Sequence, residues 1–200
     1  MTQEADILDN QPISILAQEF LANGIDADAF ERIAGSGHTS FRSVFGPRTL
    51  LRVEFSVILI GEHSHLVYIP DPGRPSEIIT SYPDRGELRV SPPVPWVGSR
   101  HSPSAKRGRH RVGLLARPFS ALDWAKVSRE AQAIDKARLN YHFVRQNSNS
   151  VVATLLSSAG LRFRDLPGGG LNLGAKNPLQ DALGADRQGV VEGRTREATN

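Results

Sequence analysis

Residues 51–69 read LRVEFSVILIGEHSHLVYI and contain the clearest strand pattern in the chain. Apolar side chains recur at every second position of its first half: Leu51, Val53, Phe55, Val57 and Leu59. A repeat of two residues is typical of a β-strand, because successive side chains point to opposite faces. Gly61-Glu62 then allows a turn into residues 63–69, which end at the turn-forming Pro70-Asp71-Pro72-Gly73. The stretch therefore predicts two strands joined by a turn.

Shorter strands are predicted beyond this pair. Residues 77–82 and 87–90 are separated by Pro83-Asp84-Arg85-Gly86, a second turn signal. Residues 141–145 resemble one more strand. Consecutive strands with tight turns between them predict an antiparallel meander.

Helical spacing appears near the N-terminus. Residues 13–21 place apolar side chains three to four positions apart and are followed by Asn23-Gly24, a favourable helix end. A second helix is predicted to begin at Asp26 or Asp28 and to end at Gly35-Ser36-Gly37. These residues predict a helical N-terminal segment.

Two further helices follow the strands. Ser120 is a good N-cap for a helix whose inward face is predicted to consist of Trp124, Val127, Ala131 and Ile134. The last helix follows Asn147-Ser148-Asn149-Ser150, has an apolar face from Val151 to Leu156, and is predicted to end at Gly160.

These elements predict an α+β fold in which an antiparallel sheet packs against helices. Three regions are expected along the chain. Residues 1–47 form the N-terminal helical segment, and residues 48–166 form the core, with a long basic loop at 91–113. Residues 167–200 form a Gly-rich and partly disordered tail.

Composition excludes several classes of protein. The 200 residues are 39% hydrophobic and 22% charged, ordinary values for one globular domain. Cysteine is absent, which excludes disulfides, thiolate zinc sites and a cysteine nucleophile. The longest apolar run, Val57 to Ile60, is too short to span a bilayer, and the N-terminus lacks the pattern of a signal peptide. A cytoplasmic protein is expected, with export by a signal-less route left open.

Basic side chains are concentrated in residues 100–111, although the net charge is only +3. They are Arg100, His101, Lys106, Arg107, Arg109, His110 and Arg111. Such a segment can contact an acidic partner or phosphate groups. Because prolines and glycines surround it, a solvated loop without a ligand is the simpler interpretation.

Two features could carry chemistry. Ser148 is expected beside a helix N-terminus, where backbone N–H groups could stabilise an oxyanion, although Asn and Ser there are also common helix caps. His63 and His65 are two residues apart on a predicted strand, so both imidazoles should share one face and could act as a relay or as metal ligands. The sequence offers no third ligand at a recognisable spacing, so we expect neither metal nor cofactor.

The segments His63–Tyr68 and Asn147–Val152 together resemble circularly permuted papain-like proteins, the NlpC/P60-related superfamily. In that superfamily a histidine strand precedes the nucleophile helix, which often opens with an Asn-Cys-Asn type of turn. The resemblance implies Ser148 as the nucleophile in place of cysteine, and His63 or His65 as the general base. Further candidate contributors to such a site are the Asn147 and Asn149 side chains and the helix-terminal backbone N–H groups, as oxyanion donors.

The resemblance therefore predicts a papain-like hydrolase or acyltransferase that acts on an amide or ester bond of a small-molecule, peptide or lipid substrate. The alternative is a catalytically inactive binding domain of the same fold. In that case the Arg100–Arg111 loop contacts an acidic partner or nucleic acid, and the Asn-Ser turn only caps its helix.

Overall fold

The computed structural model describes residues 14–26, 41–57, 61–96, 109–166, 172–176 and 179. Its helices are α1 (Ile15–Asn23), α2 (Phe41–Phe45), α3 (Ala121–Lys136) and α4 (Ser148–Ser158). Its strands are β1 (Ile25–Asp26), β2 (Thr49–Val57), β3 (Gly61–Ile69), β4 (Glu77–Ile79), β5 (Ser81–Asp84), β6 (Glu87–Val90), β7 (Val94–Pro95) and β8 (Arg109–Ala116). None of the helices in these ranges is long and apolar enough to cross a membrane.

Six of the strands form one antiparallel sheet in the order β1-β8-β2-β3-β4-β7. Its centre is the pairing of β2 with β3, which runs from Thr49 opposite Ile69 to Val57 opposite Gly61. Strands β5 and β6 form a separate hairpin. The predicted strand pair and the α+β class are therefore confirmed, as is the antiparallel arrangement. The turn predicted at Gly61-Glu62 is wrong, because both residues belong to β3 and pair with Val57 and Ser56. The strand predicted over residues 77–82 is divided into β4 and β5, which belong to different sheets.

Each face of the sheet is covered by a different set of helices. On one face, Leu66 and Tyr68 of β3 belong to a core cluster that includes the inward residues of α3 and α4. On the other face, Val67 and Ile69 belong to a second cluster with residues of α1 and α2. Both faces are covered, so Arg52 and Glu54 of β2 and Ser64 and His65 of β3 are buried.

The helix α3 follows its prediction closely. The Ser120 side chain accepts a hydrogen bond from the Asp123 backbone N–H, which caps the helix. Its buried residues are Trp124, Val127, Ala131 and Ile134, the four predicted to face inward.

A carboxylate ties the end of α3 to β6. Asp135 accepts two hydrogen bonds from the Arg89 guanidinium, at 2.8 and 2.9 Å, and one from the Val90 N–H at 3.0 Å. The hydrogen bond from Arg89 lowers the pKa of Asp135.

Several predictions need correction. Residues 141–145 are not a strand: they form a turn closed by an isolated bridge between His142 and Gln146. Residues 109–113, expected in the basic loop, form the first part of β8, which pairs with β2. The strand was missed because its apolar residues are interrupted by Arg111 and Gly113.

The predictions for the second N-terminal helix and for the C-terminal tail are only partly covered by the described residues. The second N-terminal helix was predicted within residues 26–37, most of which lie outside the described residues. Leu179, in the Gly-rich segment expected to be a tail, is buried in the core beside α4. Its N–H donates a hydrogen bond of 2.7 Å to the Thr154 hydroxyl.

Candidate functional site

The turn before α4 is a complete helix cap. The Asn147 side-chain oxygen accepts hydrogen bonds from the N–H groups of Asn149, at 2.9 Å, and Ser150, at 3.2 Å. In return, the Ser150 hydroxyl accepts one from the Asn147 N–H at 2.8 Å, which makes a capping box. The cap is therefore Asn147, and Ser148 is the first residue of the helix.

A later part of the chain closes over this turn. The Asn147 and Asn149 side-chain amides both donate to the Leu173 carbonyl, at 2.9 and 3.1 Å, and Asn147 also donates to the Phe143 carbonyl. A β-carbon at Gly174, where φ is +85°, would lie 2.6 Å from the Asn147 side-chain oxygen. Both side-chain amides predicted as oxyanion donors therefore donate hydrogen bonds to backbone carbonyls of the protein itself. Ser148 is only 4% exposed.

The two histidines lie on one face of β3, as predicted from their spacing. Their rings pack around Phe55, with centroid distances of 5.0 Å to His63 and 5.2 Å to His65. The two imidazoles are 4.6 Å apart, and His110 on β8 contacts the same phenyl ring at 5.7 Å. His65 and His110 are 2% and 1% exposed. His65 and His110 are therefore the buried members of an aromatic cluster in which Phe55 and His63 are half-buried.

The structure does not bring Ser148 together with either histidine. Side chains on β3 alternate, so His63 and His65 share the face of Val67, whereas α4 packs on the face of Leu66. Ser148 and the two histidines therefore belong to opposite sides of the sheet. Over the described ranges, no hydrogen bond joins Ser148 to a histidine.

No metal centre is found in the part of the chain that the structure describes. Within it, no group of three or more His, Cys, Asp or Glu side chains is placed to hold a metal ion.

The most unusual polar feature is a buried ion network on the α4 face of the sheet. Arg52 and Glu54 are both 0% exposed, and the Arg52 Nη2 lies 2.7 Å from the Glu54 Oε1. Ser64 donates a hydrogen bond of 3.3 Å to the same carboxylate, and the Arg111 Nε lies 3.6 Å from its other oxygen. One buried carboxylate is thus shared by two guanidinium groups.

Burial lowers the pKa of the Arg52 guanidinium, and the adjacent Glu54 carboxylate opposes that shift. An arginine remains protonated even so, which means that a full positive charge lies inside the domain. Placing such a charge in a low-dielectric interior is costly unless it is well paired.

The sequence analysis missed this network for a specific reason. The alternation along β2 indicated that Arg52 and Glu54 face away from the apolar side, which favours solvent as their surroundings. The side that they face is covered by α4 and by the residues after it. Two opposite charges two residues apart on the same strand face were the available signal.

The basic segment is described only at its C-terminal end. Residues 100–108 lie outside the described residues. Arg109, His110 and Arg111 belong to β8. The expectation that this segment is exposed is wrong for His110, because that side chain faces the Phe55 cluster.

Comparison with protein-family models, with curated proteins and with solved structures found no match to this chain.

Proposed function

We propose that this protein is a non-catalytic binding domain whose basic segment, residues 100–111, contacts an acidic protein partner. The observation that supports it is the separation of Ser148 from His63 and His65 by the sheet. A serine hydroxyl becomes a nucleophile only when a base within hydrogen-bond reach removes its proton. Without such a base, the Asn147–Ser150 turn acts as a helix cap.

The charge distribution supports an acidic partner. The basic segment carries seven Lys, Arg or His residues among twelve positions, in a chain whose net charge is only +3. A local cluster of this kind complements a local acidic surface, whereas the weak overall charge attracts a long polyanion poorly. Aromatic residues, on which single-stranded bases would stack, make up only 6% of the chain. A protein is therefore favoured over nucleic acid.

We expect the double substitution Arg100→Glu/Arg107→Glu to weaken binding of a labelled polyglutamate peptide by at least about tenfold, because two attractive charges become repulsive. Fluorescence anisotropy measures the affinity at several salt concentrations. The matched control, Arg85→Glu/Arg129→Glu, reverses two exposed arginines elsewhere and should bind as the wild type does. Equal affinity of both variants, or tighter binding of single-stranded DNA of equal charge, would contradict the proposal.

A papain-like hydrolase is the second candidate, and the chain order favours it. Strand β3 carries the histidines, and α4, which begins at Ser148, follows it in the chain and packs against the same sheet. The resemblance to permuted papain-like proteins implies this chain order, in which the histidine strand precedes the nucleophile helix. Here the serine would need a base other than the two histidines.

The two candidates predict different results for Ser148→Ala. For a binding domain, we expect a loss of less than about 1 kcal/mol in the free energy of unfolding, since the cap is Asn147 and not Ser148. Asn147→Ala should cost more, about 1–2 kcal/mol, because it removes the cap. Urea denaturation compares the two. A covalent fluorophosphonate probe that labels the wild type but not the Ser148→Ala variant would support the hydrolase.

A further inference from the structure

Arg52 has fewer partners than a buried arginine needs. Its side chain is 0% exposed, yet the only carboxylate that it contacts among the described residues is Glu54. The Nε and Nη1 atoms of Arg52 have no hydrogen-bond acceptor in that part of the chain, and Nη2 meets Glu54 as an ion contact without an aligned hydrogen bond. Each unpaired buried donor costs free energy that an acceptor would recover.

A phenyl ring covers one face of this guanidinium. The Arg52 Cζ lies 4.0 Å from the centroid of Phe163, a cation–π contact that satisfies no N–H group. Phe163 belongs to residues 161–166, which we call the strap. The strap follows α4 and has no regular secondary structure.

The strap is held mainly by side chains. Leu166 packs against Gly113, the β8 partner of Arg52, so closely that a β-carbon there would lie 2.2 Å from a Leu166 methyl carbon. Its one backbone hydrogen bond to other described residues is at its start, from the Leu161 N–H to the Leu156 carbonyl. A segment attached in this way can move off the sheet without breaking a strand ladder.

We propose that Arg52 is the anchor of a binding site for a small oxyanion, a carboxylate or phosphate group, beneath the strap. A planar guanidinium presents its donors as a fork that fits two oxygens of such an anion, and Nε with Nη2 forms one such fork. Arg111 is 23% exposed and lies 3.6 Å from the Glu54 carboxylate, so it places a second positive charge beside the Arg52–Glu54 pair. Ligand entry displaces Phe163 from the guanidinium. This site shares Arg111 with the basic segment but does not require the proposed function.

Thermal unfolding of the full chain with inorganic phosphate tests the site. We expect a saturable rise in Tm of roughly 5 °C over sodium chloride of equal ionic strength, because the anion binds only the folded state. Sodium acetate in a parallel titration distinguishes a carboxylate from a phosphate ligand. Keeping phosphate below about 10 mM limits its general stabilising effect on proteins.

The Arg52→Lys variant keeps the charge but loses the fork, so its phosphate affinity should fall about tenfold or more. Arg129→Lys, on the exposed side of α3, is the matched control and should respond as the wild type does. An equal rise in the Tm of wild type and Arg52→Lys would show binding elsewhere and overturn the proposal.

Hydrogen exchange on the wild type gives a second measurement that does not depend on the variant folding. Phosphate should change the exchange of residues 161–166 and leave that of α3 unchanged. Unchanged exchange in the strap, together with no saturable rise in Tm, would overturn the proposal even if Arg52→Lys does not fold.

Discussion

Glu54→Gln is expected to lower the free energy of unfolding by about 3–5 kcal/mol. The substitution keeps the shape of the side chain but leaves the buried Arg52 guanidinium without its carboxylate, 2.7 Å away, and removes the charge that Arg111 faces. An uncompensated buried charge is far more costly than the loss of an exposed ion pair. Urea denaturation followed by circular dichroism measures the change.

The control for this substitution is Glu19→Gln on the exposed face of α1. It removes the same charge from a solvated position and should change stability by less than about 0.5 kcal/mol. Arg52→Met should cost less than Glu54→Gln, because Glu54 then keeps Arg111 and Ser64 as partners. A loss of stability in Glu54→Gln no larger than in Glu19→Gln would mean that the network is hydrated rather than buried.

Leu155→Ala is expected to lower the free energy of unfolding by about 2–5 kcal/mol. Leu155 is 0% exposed and packs in the cluster that joins α4 to α3 and to the sheet. Truncation removes apolar contact area and leaves a cavity between layers that relax only in part. Because α4 also carries the Asn147 cap and precedes the strap, its loosening should increase hydrogen exchange in both.

Leu122→Ala is the matched control for Leu155→Ala. Leu122 lies on α3, is 77% exposed, and should change stability by less than about 0.5 kcal/mol. Similar losses at the two positions would show that α4 does not pack on the sheet as described.

The two proposed sites meet on β8. The basic segment enters this strand at Arg109, and two residues later Arg111 contacts the buried Glu54. A partner bound to the basic segment would therefore lie near one end of the ion network. None of the variants that test the two sites substitutes Arg111. A negative result for one site therefore does not affect the interpretation of the other.

Local patterns in the sequence were enough to predict the main elements. The period of two in residues 51–69 predicted β2 and β3, because a strand that packs on a core must present apolar side chains at alternate positions. Ser120 and the spacing of Trp124, Val127, Ala131 and Ile134 predicted α3 and its buried face. Each of these patterns spans only a few residues. The periodicity of a strand or of a helix is enough to interpret it.

Which face of the sheet each helix covers could not be read from local patterns. The spacing of His63 and His65 showed that they share a face but not that α4 packs on the other one. The face that α4 covers depends on how the chain after β8 returns over the sheet. When both faces of a strand are buried, its sequence does not indicate which helix packs on which face. Tertiary packing therefore separated Ser148 from the histidines, and the same packing buried Arg52 and Glu54 on the α4 face of the sheet.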